Sequence, residues 1–262
     1  LPLVSENRYW VTRGLQVIAS RQRVGLKKLL ETAQFSIDSP VTSTTVGFTI
    51  GPRINALGRL MRADDAVTLL TTRDEDLAAE IALKLEQCNK TRQTLVEQTY
   101  QEAIHHIQNT GSLDGEKVVI VAAPHWNSGI VGLVATRLVE LTNRPAFVGV
   151  IDEAKQQVKF SGRSLPGVHL MEILSELQDE FLHSGGHAAA GGFAIPIEKY
   201  ASVKQKLYAT FRKQVSDEAL VAQQDVDIKL NLEQLSLNLY ELISQMAPFG
   251  MGNPEPVFSL EN

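Results

Sequence analysis

The chain has 262 residues, 44% hydrophobic and 21% charged, with a net charge of −5 at neutral pH. That length fits one large domain or two smaller ones, and the composition is that of a soluble globular protein. Its single cysteine, Cys88, excludes a disulfide framework and fits a reducing, cytoplasmic setting; its helical context suggests a packing role. No apolar run reaches the ~18 residues of a membrane span. The opening, LPLVSENRYW, has no signal-peptide layout and no initiator Met, as expected of a piece of a longer chain. Charge is uneven: residues 1–63 hold nine Lys/Arg against three Asp/Glu, and the remainder sixteen against twenty-seven. The basic end is compatible with a local anionic partner, although charge alone also fits a solvated basic face.

In chain order, residues 5–20 read as a helix, with Ser5 placed to cap it and Val11, Leu15 and Ile18 at helical spacing. A short helix covers 24–33. A third begins near Thr42 or Ser43 and is expected to stop at GPR, because Pro52 disfavours α geometry at Gly51. From Asp74 to about Asn109 the pattern is one long helix, on the order of 50 Å, read as a strut between domains. Strands then alternate with helices. KVVIVAA (117–123), AFVGVI (146–151), VKFSGRS (158–164) and AAAGGFAIP (188–196) are strands; 127–141, 169–177 and 198–215 are helices. Asn127 or Ser128 is the expected cap of the first of these helices. The alternation predicts an α/β domain with a largely parallel or mixed sheet. Residues 216–224 read as a linker. DVDIKLNL then begins a new strand, followed by a helix to about Ala247 and the turn cluster PFGMGNPEPVF. One strand and one helix cannot build a core, so this tail either packs on the α/β domain or opens a further domain.

Three stretches could carry chemistry. GPRINALGRLMRA (51–63) holds Arg53, Arg59 and Arg62 with no acid before Asp64, and Asn55 adds a donor and an acceptor. A loop of guanidinium groups without internal partners suits phosphate; a helix-turn-helix corner whose arginines cap carbonyls fits equally well. FSGRS (160–164) places Ser161, Arg163 and Ser164 around Gly162 at a strand end, where hydroxyls and a guanidinium could hold a terminal phosphate. A hydroxyl-stabilised turn with a solvated arginine is the plainer alternative. In SGGHAAAGGF (184–193), Gly185 and Gly186 let the backbone approach a ligand and His187 follows at the mouth of a strand. That imidazole could bond a phosphate oxygen, although a histidine beside a glycine turn is usually structural. The turn PHWNSGIVG (124–132) offers a weak helix-N-terminal anion site. Asp64-Asp65 and Asp225-x-Asp227 are the nearest carboxylate pairs; neither has convincing metal-ligand spacing, and no metal site is assigned.

The motifs LVSENR, GPRINALGRL, WNSGIVGLVATRL, SGRS, GGHAAAGGF and APFGMGNPEPVF stand in the order found in the RecJ family. Those are bacterial single-strand-specific 5′→3′ DNA exonucleases of the DHH superfamily, and the chain resembles them over nearly its whole length. The resemblance implies three parts. Residues 1–110 would be a helical connector with a long linking helix. Residues 111–216 would be a mixed α/β domain of the DHH-associated type, and 217–262 the opening segment of an oligonucleotide-binding fold. It places the catalytic DHH domain, with its Mn²⁺ or Mg²⁺ ligands, upstream of this chain, so no metal is expected on this part and no cutting by it alone. It implies that Ser161 and Arg163, within Ser161–Ser164, hold a 5′-phosphate. It likewise implies that Gly185, Gly186 and His187 face the reacting phosphate, with His187 catalytic, and that Arg53 and Asn55 contact the strand. Single-stranded DNA with a 5′ end is the implied substrate, and a single-strand-binding protein a family-level partner. Asn127 stands where the family often has His, and Met251 where an acid is common. The rival readings are a DHH-superfamily phosphodiesterase acting on oligoribonucleotides or cyclic dinucleotides, and a non-catalytic nucleic-acid-binding module.

Overall fold

The computed structural model describes residues 1–60, 64–111, 113 and 115–261. Their contacts form two compact units, 1–90 with 223–262, and 91–222.

The N-terminal helices are α1 (Ser5–Ala19), α2 (Val24–Thr32), α3 (Ser43–Thr45), a π-helical stretch (Val46–Ile50), α4 (Gly51–Leu60) and α5 (Asp64–Thr71). They are followed by the 36-residue α6 (Glu75–Thr110), within which the division between the two units falls. Ser5 does not cap α1: its first turn closes on the Val4 carbonyl, which accepts from the Asn7 and Arg8 amides. Thr42 does cap α3, in reciprocal bonds with Thr45. The helix does not stop at GPR. Gly51 has no Cβ to collide with the Pro52 ring, and the wider π turn before it takes the helix past the proline. Asp74 Oδ1 accepts from the Asp76 and Leu77 amides and so caps α6. The core joins Leu29 and Leu30 of α2, Ile50, Leu57 of α4, Leu69 of α5, and Ile81 and Leu85 of α6, with Cys88 packed against it.

The second unit contains β1 (Val119–Ala123), α7 (Val131–Thr142), β2 (Ala146–Asp152), β3 (Gln157–Arg163) and α8 (Leu170–Ser175). Then come β4 (His183–Gly186), β5 (Ala190–Pro196) and α9 (Tyr200–Gln214). The sheet order is β1-β2-β3-β5-β4. It is mixed: β1 and β2 are parallel, and every other neighbouring pair is antiparallel. Strand β4 was not legible in HSGG, which has two glycines and no β-branched residue; pairing with β5 makes it a strand. Helix α7 starts later than its sequence suggests, because Asn127 closes the preceding turn instead of capping it. Its Oδ1 accepts from the Gly129 amide at 2.8 Å, and its carbonyl from the amides of Ile130 and Val131. One face of the sheet buries a ring cluster against α9. The Phe147 ring lies 5.3 Å from that of Phe193 and 5.9 Å from that of Phe211.

Residues 217–220 are not a free linker. Lys117 pairs with Asp217 at 2.9 Å, and the Asn143 side chain donates to the Leu220 carbonyl. The tail forms β6 (Ile228–Asn231), α10 (Leu237–Ser244) and β7 (Phe258–Glu261), with β6 and β7 parallel. Its contacts group it with the N-terminal helices. The Arg8 side chain donates to the carbonyls of Met246 and Ala247, and Ser43 Oγ donates to that of Phe249 at 2.6 Å.

Candidate phosphate-binding site

Strand β3 alternates. Val158, Phe160 and Gly162 are buried toward the ring cluster, while Ser161 and Arg163 lie on the other, half-exposed face. Gly162 therefore serves packing rather than a ligand: a Cβ there would come within 2.3 Å of the Phe147 ring. Ser164 is also committed, its Oγ donating to the Val168 carbonyl at 2.7 Å and its amide to that of Ala189. Ser161 Oγ makes no hydrogen bond among the described residues.

Arg163 ends β3. Its Nη1 donates to the Gly162 carbonyl at 2.8 Å, and the guanidinium lies over the first turn of α7. A Cβ built on Gly132 would be 3.0 Å from Arg163 Nη2 and 3.5 Å from Cζ, so this glycine makes room for the guanidinium. Among the described residues no side chain caps α7, and backbone carbonyls of Asn127 and Ile130 take the amides of Val131, Leu133 and Val134. The fold thus brings a guanidinium against the positive end of a helix, an arrangement that an anion stabilises. The contact joins residues 31 apart, and no local pattern in the sequence signals it.

Register brings His187 to the same end of the sheet. Arg163 pairs with Ala190, the first residue of β5, and the His187 amide donates to the Ala190 carbonyl at 2.7 Å. The connection from β4 to β5 is pinned: the Ala188 carbonyl accepts from the Leu170 amide and that of Ala189 from Ser164. Residues 182–189 are all exposed, including Gly185, Gly186 and His187. Gly186 has φ +152°, and a Cβ on it would lie 2.4 Å from the Ala190 oxygen, so no other residue fits. The close approach at Gly192 is internal, to the Phe160 carbonyl, and at Gly191 it is to the Met171 sulfur.

A second anchor lies in the turn after β1, at the end of the sheet opposite Arg163. Glu102 Oε2, on α6, accepts from the buried Trp126 indole at 2.8 Å and meets His125 Nε2 at 2.6 Å. These bonds, the indole's first, hold the Glu102 carboxyl below its ordinary range. The histidine of the 124–130 turn is thus occupied with Glu102.

In the other unit, of the two readings of 51–63, Arg53 fits the one in which arginines meet internal partners. Arg53 lies in α4; its Nε pairs with Glu86 Oε2 at 2.6 Å and its Nη1 donates to the Thr49 carbonyl at 2.8 Å. Both side chains are nearly buried, 13% and 12% exposed. The continuous helix turns Arg53 toward α6, where Glu86 waits 33 residues on. Asn55 is exposed on α4. Arg59 is exposed as well, and Arg62 lies outside the described residues. Among the described residues no three or more His, Cys, Asp or Glu side chains come together as metal ligands, so these residues do not fit a Mn²⁺ or Mg²⁺ site. No helix among them is long and apolar enough to cross a membrane.

Residues 115–217 match the DHHA1 domain family, and residues 226–262 match the RecJ OB domain. Over all 262 residues the sequence is 37% identical to the single-stranded-DNA-specific exonuclease RecJ of Bacillus subtilis, covering 33% of that protein. The chain is homologous to the RecJ exonucleases. RecJ of Haemophilus influenzae is 32% identical over 268 residues, with 100% of the chain and 46% of that protein covered. The crystal structure of Thermus thermophilus RecJ in complex with Mn²⁺ superposes with a TM-score of 0.86 at 30% identity, over 99% of this chain and 37% of that one. The chain therefore spans a third to just under half of the RecJ proteins it matches. The α/β class, the long helix and the oligonucleotide-binding-type tail all agree with that likeness.

Proposed function

We propose that this chain is the strand-holding portion of a RecJ-type, metal-dependent exodeoxyribonuclease that shortens single-stranded DNA from its 5′ end in the cytoplasm. The observation that carries this reading is the Arg163 guanidinium seated over the first turn of α7, beside the exposed Gly185-Gly186-His187 edge. In that reading Arg163 donates to the terminal phosphate with Ser161 Oγ beside it, and His187 contributes an exposed imidazole toward the reacting phosphate. Arg53 acts through its bond to Glu86, holding α4 so that exposed Asn55 faces the strand. Residues 1–110 then serve as connector, 111–216 as phosphate-holding domain and 217–262 as the start of a strand-binding domain.

The metal, Mn²⁺ or Mg²⁺, would activate water and stabilise the leaving oxygen; its ligands would belong to a DHH domain of the complete enzyme. The match of the tail to the RecJ OB domain favours this reading over a dinucleotide phosphodiesterase. A single-strand-binding protein is the partner the reading implies. The test is Arg163→Ala. Removing a charge-assisted phosphate contact costs about 1.5–3 kcal/mol, roughly 10- to 150-fold in affinity. That loss should fall on 5′-phosphorylated oligonucleotides and spare the same strands with a 5′-hydroxyl. Equal loss on both would overturn the phosphate assignment.

A further inference from the structure

Two sequence motifs have no role in the phosphate site: the LVSENR stretch at the start and the PFGMGNPEP turn near the end. The structure puts them in contact, although 238 residues separate Arg8 from Met246. The Arg8 side chain donates to the Met246 carbonyl and, at 3.3 Å, to that of Ala247, just beyond the end of α10. These bonds tie the N-terminal segment to the turn that follows α10. The Leu3 amide donates to the Met251 carbonyl at 2.6 Å. Asn253 Nδ2 donates to the Met246 and Pro248 carbonyls, both at 2.9 Å, and so shapes the turn that receives Arg8. Gly252 sits at φ +80°, and a Cβ on it would be 2.8 Å from the Pro2 Cβ, so the turn can approach the N-terminal segment only with glycine there. Ser43, at the start of α3, holds the Phe249 carbonyl.

We propose that Pro2–Arg8 and Met246–Asn253 form one clamp, in which Arg8 is a positioning residue that seats the 226–261 segment on α1 and α3. Strand binding by that segment then depends on Arg8, although Arg8 touches no DNA. The inference deepens the strand-holding reading and rests on it.

The experiment compares wild type, Arg8→Ala, Arg8→Lys and Gly252→Ala. Hydrogen exchange follows the backbone, and anisotropy follows binding of 5′-phosphorylated oligothymidylates of about 3 and about 30 nucleotides, below and above the roughly 4–16 nucleotides of one oligonucleotide-binding-fold site. Arg8→Ala should speed exchange in 223–261 and 2–8 while leaving 115–217 unchanged. It should weaken the long strand about tenfold or more and the short one less than twofold. Arg8→Lys keeps the charge without the paired donors and should fall between. Gly252→Ala should repeat the Arg8→Ala pattern by an independent route if Arg8→Ala fails to fold. Unchanged exchange at 223–261 in both Arg8→Ala and Gly252→Ala would remove the clamp. Faster exchange with unchanged long-strand affinity would remove its role in binding. A wild type that binds neither oligonucleotide would sink the strand-holding reading, while the exchange pattern still decides the clamp.

Discussion

Replacing Gly132 offers a test in which stability and ligand preference move in opposite directions. In Gly132→Ala the new Cβ would lie 3.0 Å from Arg163 Nη2, 3.5 Å from Cζ and 3.7 Å from Nη1. An ordinary contact needs about 3.5–4.0 Å, so the guanidinium must retreat by roughly half an ångström. The atoms that give way are the far end of a flexible side chain, so the cost to folding is small. Against it stands the gain from putting alanine in place of glycine in a helix, up to about 1 kcal/mol. Gly132→Ala should therefore unfold at the same temperature as wild type or higher. A displaced guanidinium loses part of the 1.5–3 kcal/mol that its phosphate contact supplies. The preference for a 5′-phosphate over a 5′-hydroxyl should fall about threefold to tenfold. Gly132→Leu, which fills the space, should approach the Arg163→Ala value. Thermal unfolding and competition anisotropy with matched oligonucleotides read the two effects. A Gly132→Leu protein that folds and keeps the full phosphate preference would refute the placement of Arg163 over α7 as the source of that preference.

Arg53→Ala should destabilise the unit of the N-terminal helices by less than the about 3–5 kcal/mol of an unpaired buried charge, because the nearly buried Glu86 keeps the exposed Lys90 at 3.7 Å; the double change Arg53→Met with Glu86→Leu should recover most of that loss. Denaturant titration checks this, and an undiminished midpoint in Arg53→Ala would return Arg53 to the role of a free strand contact. Glu102 gives a pH dependence. Its carboxyl is held below the ordinary range by the Trp126 indole and then His125, so its contribution to stability is complete above the unfolded-state value and is lost as pH falls through the folded one. The stability gap between wild type and Glu102→Gln should shrink as pH falls below the ordinary glutamate value of about 4.5, and a gap that is constant with pH would discount the carboxylate.

What could be read from the sequence was local. Periodicity located α1, α2 and α6 to within a residue or two at their ends, because amphipathic spacing and an Asp cap are properties of consecutive residues. Strands β1, β2, β3 and β5 were legible from their apolar and β-branched runs, and the SGRS and GGH motifs marked the end of the sheet where Arg163 and His187 flank Ala190. Motif order also pointed to the RecJ exonucleases, which the likeness over the full chain supports. What the tertiary structure decided was every pairing across sequence distance. It turned Arg53 inward onto Glu86, made HSGG a strand by giving it β5, and assigned Gly162 to the Phe147 ring and Gly132 to Arg163. It closed the N-terminal segment onto the last turn. Propensity and spacing describe what a residue does to its neighbours along the chain, whereas an arginine's partner is fixed by which helices the core brings together.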